Sequence, residues 1–159
     1  MKEVVILGAG YAGLRALHVL QGSKGDFHIT LVDKNDYHYE ATDLHEVAAG
    51  TQPRERISYD IADVVRPQKT TFLQNEVATI DRQSQRIMFT DQTSLSYDYL
   101  IVALGFESES FGIPGVNENA LEMVDVDSAE TIYHHLLKQM KEYKKTQDPD
   151  LLKIVVCGA

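Results

Sequence analysis

Four residues dominate what this chain could do chemically: Gly8, Gly10 and Gly13 in the run Gly8-Ala9-Gly10-Tyr11-Ala12-Gly13, and Asp33 further on. Glycines spaced G-x-G-x-x-G between a buried strand and a helix cradle a nucleotide diphosphate, and a carboxylate roughly twenty residues later accepts from ribose hydroxyls. Each residue type has a reason. Gly8 permits the tight turn, Gly10 carries no side chain to hold a diphosphate off the backbone, and Gly13 lets the helix lie close on the strand. The helix that begins here aims N–H groups and the positive end of its dipole at the anion. The competing reading is a glycine-rich turn without a ligand. The strand before, the helix after and the acid beyond all agree on a nucleotide site.

The elements that must position these residues can be read on either side of them. Val4-Val5-Ile6-Leu7 reads as a buried strand over 3–7, and Ile29-Thr30-Leu31-Val32 belongs to a second over 27–32. The intervening helix places Leu14, Leu17, Val19 and Leu20 toward a sheet and frays by Gly22 or Gly25. Residues 42–50 read as a short helix closed by Gly50, and 60–65 as a weaker helical stretch stopped before Pro67. From Thr70 the period becomes two. Residues 72–74, 77–80, 86–90 and 94–98 then read as a small antiparallel meander, with turns at Arg82-Gln83-Ser84 and Asp91-Gln92. Tyr99-Leu100-Ile101-Val102-Ala103 returns to a fully buried strand ending in Leu104-Gly105. A last helix is expected from Asp127, with Glu130 at capping-box spacing. Its buried stripe is Ile132, Leu136 and Met140, while Lys138, Lys141, Lys144 and Lys145 face water near its carboxyl end. The fold class is α/β: a Rossmann-like βαβ three-layer fold with a small antiparallel β-meander insertion at about 70–98.

Composition narrows the function classes. A chain of 159 residues suits one domain, or a domain with an appendage. The net charge of −9 argues against a nucleic-acid partner and against a polybasic membrane surface. No apolar run reaches the length of a membrane span and the first strand starts at once, so the expectation is a cytoplasmic chain that is not membrane-bound. Cys157 is the sole cysteine, which rules out an intrachain disulfide. His38 and His45, with Asp36, Asp43 and Glu46 nearby, lack zinc-type spacing, and adjacent His134 and His135 diverge on a helix, so no metal site is assigned. No set of residues stands out as catalytic.

The layout of Glu3-Val4-Val5-Ile6-Leu7-Gly8-Ala9 recurs in Lys153-Ile154-Val155-Val156-Cys157-Gly158-Ala159. An ordinary terminal edge strand would account for it. The reading preferred here is the opening of a second dinucleotide-binding unit, and hence a fragment of a longer chain.

Two such units separated by a small antiparallel insertion resemble the two-dinucleotide-binding flavoproteins. In that superfamily the first unit holds FAD and the second holds NAD(P)H. Residues 97–105 are similar to its second flavin motif, a strand ending in Ala-Thr-Gly, with Leu104 here in place of the threonine and Asp33 in place of a frequent glutamate. The run from Asn35 to Gly50, with Gly8 to Gly13 and 103–112, is similar to the type II NADH dehydrogenases, the non-pumping NADH:quinone oxidoreductases. The absence of a cysteine pair near the flavin region sets the chain apart from the disulfide reductases. The resemblance implies that Gly8, Ala9, Gly10, Tyr11, Ala12 and Gly13 surround the FAD diphosphate, with Asp33 and Lys34 at the adenosine ribose. It puts Val77 at the adenine through its main chain, Thr42 near the isoalloxazine, and Ala103 and Gly105 below the flavin. It further implies residues 1–115 as the FAD-binding part and 116–159 as a linker, helix and first strand of a truncated NADH-binding domain. The parent would pass hydride from NADH to FAD and electrons to a quinone, as a peripheral protein on the cytoplasmic face of the membrane. The fragment itself would be inactive, with weakened FAD binding and a homodimer as one way to cover its apolar end. The alternatives are a single-unit NAD-binding dehydrogenase, which would continue in parallel βα repeats where this chain has its meander, and a non-enzymatic nucleotide-binding module.

Overall fold

The computed structural model describes residues 1–157, so Gly158 and Ala159, which would open a second glycine turn, lie outside the described residues. The chain forms two compact units. One is Met1–Tyr39 with Ser58–Phe106, and the other is Glu40–Ile57 with the chain from Glu107 on.

The first unit is built on β1 (Lys2–Leu7), α1 (Tyr11–Gly22) and β2 (Phe27–Asp33), followed by the short β3 (Tyr37–Tyr39). The α2 helix (Leu44–Ala49) belongs to the second unit, and the first resumes at β4 (Ser58–Asp60), which pairs antiparallel with β3. Then come β5 (Thr70–Gln74), β6 (Val77–Asp81), β7 (Arg86–Phe89), β8 (Ser94–Ser96) and β9 (Tyr99–Val102). The main sheet has the order β5-β2-β1-β9, every neighbour parallel, with Ile6 in register with both Leu31 and Ile101. Strands 6, 7 and 8 form the antiparallel meander.

Alternation along the central strands decides the layers. Ile6, Ile29 and Leu31 point to one face, where Leu17 and Ile61 close a fully buried cluster with Leu14 and Leu20 at its margin. Val5, Leu7 and Val32 point to the other and meet Ile87 and Phe89 of β7. Helix, parallel sheet and meander are thus three layers with two apolar seams. Burying each such side chain stabilises by about 1.5–3 kcal/mol, which is why β1 is apolar on both faces.

Four expectations about this unit need correction. Residues 72–74 belong to β5 of the parallel sheet, not to the meander, because Phe72 and Leu73 pack on opposite faces of that sheet. Val19 is exposed: at about 100° per residue it sits on the far side of α1 from Leu17. β9 is not fully buried. Leu100 and Ile101 join the two clusters, but as an edge strand it leaves Tyr99 and Val102 largely exposed at its ends. The stretch 60–65 forms only a single 3-10 turn, Ile61–Asp63.

The second unit pairs α2 with a long helix. After α3 (Val116–Asn119) the chain enters α4 (Val126–Thr146), where Val126 and Ala129 are buried, as are Leu44, Val47 and Ala48 of α2. Gly50, in the left-handed region, ends α2 as expected. The cap of α4 is two residues earlier than its sequence suggested. Asp125, in extended conformation, accepts from the Ser128 N–H (2.8 Å), and Ser128 Oγ accepts from the Asp125 N–H (3.0 Å). Asp127 and Glu130 lie one turn apart inside the helix and both accept from Arg54 Nη1, at 2.9 and 2.8 Å. Met140 is exposed because α4 has 21 residues and α2 only six, so the later turns outrun their partner. The run 153–156 forms no strand; it follows a 3-10 turn with Ile154, Val155 and Val156 exposed.

Candidate functional site

The glycine turn sits where β1 ends. Gly8 donates its N–H to the Val32 carbonyl (2.7 Å), and Ala103 donates to the Leu7 carbonyl (2.7 Å), so Leu7 and Gly8 together tie the end of β1 to both neighbouring strands. From here the chain crosses through α1 to β2 on one side, while β9 lies on the other. That is the point at which the strand order reverses, where open parallel sheets bind ligands.

The three glycines prove to have three different reasons. Gly8 has φ +98°, and a Cβ there would overlap the Ala103 carbonyl, so this position needs glycine both for its conformation and for the passage of β9. A Cβ at Gly13 would overlap the Gly8 carbonyl oxygen, which fixes how closely α1 lies on the turn. At Gly10 a Cβ would meet nothing within 4 Å. Gly10 is therefore not required by packing, and the space beside it is open.

Around Ala9 the turn is held by side chains. The Ala9 N–H donates to Asp33 Oδ2 (2.6 Å), and the other oxygen of that carboxylate accepts from the Asn35 N–H (2.9 Å). The Ala9 carbonyl accepts from Nδ1 of His38 at 2.7 Å. Helix α1 then starts with Gly10 as N-cap, with no capping side chain and no acidic residue in its first turn. Helices normally place acids there to answer the dipole; this one has no acidic side chain of its own in that turn.

The opposite, amino-terminal end of the sheet carries a charged pair. Asp98 accepts from Lys2 Nζ (2.6 Å) and from the Glu3 N–H (2.8 Å). These bonds hold its carboxyl below the ordinary carboxylate range, the lysine contributing most, and the same bond raises Lys2. In the meander turns, Asp81 and Asp91 are likewise lowered, chiefly by the hydroxyls of Ser84 and Thr93.

The structure brings Gly8 to Gly13, Asp33 and Ala103 together at this one end of β1. Gly105 follows two residues on, exposed and with φ +85°. Lys34 is exposed beside Asp33, its carbonyl accepting from Gln74 Nε2 (3.2 Å). Asn75 donates to the Asp33 carbonyl (2.9 Å), which leads the chain from this edge into Val77. Val77 pairs with Phe89 where the ladder shifts register, and its side chain packs on the meander seam. Thr42 lies in the other unit, on the 3-10 turn Ala41–Asp43. The sequence reading missed two features: that Asp33 braces the turn, and that His38 holds it at all. The available signal was the pattern Tyr37-His38-Tyr39, which puts the histidine on the inward side of a short strand. Among the described residues no three histidine, cysteine, aspartate or glutamate side chains converge as metal ligands, and no helix is long and apolar enough to cross a membrane.

A family model described as pyridine nucleotide-disulphide oxidoreductase matches residues 2–159. Type II NADH:quinone oxidoreductases of Staphylococcus aureus and Staphylococcus saprophyticus are each 42% identical to the chain over 162 aligned positions. The match covers 99% of this chain but 40% of each relative, so the chain spans well under half the length of these proteins. Among solved structures, NDH2 from Plasmodium falciparum in complex with NADH superposes with a TM-score of 0.81 at 24% identity, over 92% of this chain and 31% of that one. The sulfide:quinone oxidoreductase of Aquifex aeolicus gives 0.78 at 24% identity, over 92% and 33%. At that identity these two likenesses speak for the fold alone.

Proposed function

The chain belongs to the pyridine nucleotide-disulphide oxidoreductase family, and from that premise we propose that it is the FAD-binding part of a type II NADH:quinone oxidoreductase. The observation that carries the reading is the Ala9 brace at the strand-order reversal. Asp33 and His38 hold the turn rigid, Gly10 leaves room beside it, and α1 offers an uncapped, acid-free N-terminus. Those residues fit an adenosine diphosphate moiety. When bound, FAD supplies the hydride acceptor and the two-electron carrier. The protein's part is to hold it: backbone N–H groups of Gly10 and Ala12 toward the diphosphate, Asp33 and Lys34 at the ribose, the Val77 main chain at the adenine, and Ala103 and Gly105 under the ring system with Thr42 near it. Residues 1–115 form this part, and 116–159 begin an NADH-binding domain. In the whole protein NADH and a quinone are the substrates, at the cytoplasmic face of a membrane to which the protein is peripherally bound. The parallel sheet closed by a meander is what separates this reading from a single-unit NAD dehydrogenase.

The test is titration of the purified chain with FAD, followed by flavin fluorescence, beside Gly10→Val and Asp33→Ala. A Cβ at position 10 meets no protein atom within 4 Å, so a valine there is set against the ligand rather than the packing; binding should be lost. Asp33→Ala removes the ribose acceptor and the Ala9 brace together, and should weaken FAD by about 1–3 kcal/mol, roughly 5- to 150-fold. Binding of NAD in preference to FAD would sink the proposal.

A further inference from the structure

We propose that His38 is a positioning residue for the diphosphate turn: its imidazole fixes the Ala9–Gly10 peptide so that the Gly10 N–H faces the ligand before the ligand arrives. This rests on the flavin reading above. The Ala9 oxygen can only accept, so His38 Nδ1, 2.7 Å away, must carry the proton of that bond. A trans peptide points its C=O and its N–H in opposite directions. Anchoring the Ala9 carbonyl on His38 therefore turns the Gly10 N–H away from His38, and at the same residue a Cβ would meet nothing within 4 Å. The preceding peptide is anchored independently, through the Ala9 N–H on Asp33. Two successive peptides of the turn are thus each held by one side chain.

The imidazole is itself held. It is 4% exposed, with the Tyr59 ring 4.9 Å from its own and the Tyr11 ring edge-on at 5.5 Å. Tyr39 stacks at 6.4 Å. β3 carries the histidine and pairs with β4, His38 opposite Tyr59, so the short two-stranded sheet is the support of the turn. Ala9 is 2% exposed, so without the histidine its carbonyl would lack this donor in a site closed to bulk water. A turn not held in its binding conformation must be ordered by the ligand, and affinity falls accordingly.

The test exploits which nitrogen bonds. In asparagine the amide nitrogen hangs from Cγ, as Nδ1 does in histidine, whereas in glutamine the amide nitrogen stands one bond further out, nearer the place of Nε2. The experiment measures FAD dissociation constants for the full chain and for His38→Asn, His38→Gln and His38→Leu. Thermal midpoints of the ligand-free proteins are recorded alongside, and binding is read well below them. The expected result is a loss of about tenfold or more for the leucine and glutamine variants and near-wild-type affinity, within roughly threefold, for asparagine, as one buried hydrogen bond would give. A purely structural histidine would lower the three midpoints together without that ordering. Equal FAD affinity in all four proteins, or an asparagine variant as weak as leucine, overturns the proposal while leaving the flavin reading in place. A wild-type chain that takes no FAD overturns both.

Discussion

At the scale of single residues, the three glycines of one motif separate into two that packing requires and one that it does not. Gly8 and Gly13 are filled in by backbone, the first by Ala103 and the second by Gly8 itself, while Gly10 faces open space. Gly13→Ala must push α1 off the turn, because the obstructing atom is a backbone oxygen with no rotamer to change. We expect it to destabilise the chain by about 1–3 kcal/mol, the range for overpacking. Urea denaturation of Gly13→Ala beside Gly10→Val checks this: the midpoint should fall for the alanine, with its slope unchanged, and stay near wild type for the valine. An undisturbed Gly13→Ala midpoint would show that the helix can shift at little cost. The spacing of these glycines, with Asp33, was plain in the sequence because all four lie in one contiguous strand-turn-helix-strand segment. His38 was not, since the Tyr37-His38-Tyr39 alternation turns it inward but does not name its partner, a carbonyl 29 residues distant.

At the scale of elements, legibility followed how local the cause was. β1, α1 and β2 read correctly because an apolar run, a glycine turn and a second apolar run are contiguous signals. β5 was misassigned because its partner is β2, some forty residues earlier, and a short β-rich run does not say which sheet it joins. The start of α4 was misplaced because the Asp127/Glu130 spacing that suits a capping box suits an ion-pair site equally well: Arg54 takes Asp127 and Glu130, while Asp125 caps with Ser128. The distinction is measurable. Asp125→Ala removes the acceptor for the Ser128 N–H and should destabilise by about 1 kcal/mol, as N-cap losses do. Asp127→Ala, at a side chain 72% exposed, breaks only a surface ion pair and should change stability by well under that. Thermal denaturation of the two variants decides which aspartate caps the helix; a larger loss at Asp127 would restore the later start.

At the scale of the whole molecule, the chain presents apolar surface that a folded protein ordinarily covers. Ile154, Val155 and Val156 are 66, 84 and 84% exposed and pair with no strand among the described residues, and Val102, Phe106 and Phe111 are also open. Consecutive β-branched residues with unpaired backbone are a template for another strand, and the nearest copy of a complementary edge is the same segment of a second chain. In the staphylococcal relatives the aligned region is 40% of the protein, so surface of this kind has further chain available to meet it. For this chain alone we expect concentration-dependent self-association, seen by sedimentation velocity as a dimer that grows from micromolar concentrations upward. Val155→Lys with Val156→Lys should abolish it by placing charge in the pairing edge, while leaving FAD affinity unchanged, because neither residue belongs to the diphosphate turn. A wild-type chain that sediments as a monomer throughout would show that these valines are tolerated in water. Self-association that survives both lysines would move the contact to Val102, Phe106 and Phe111. Pairing through 153–156 would also mean that dimer formation and flavin binding can be varied separately, one through each end of the chain.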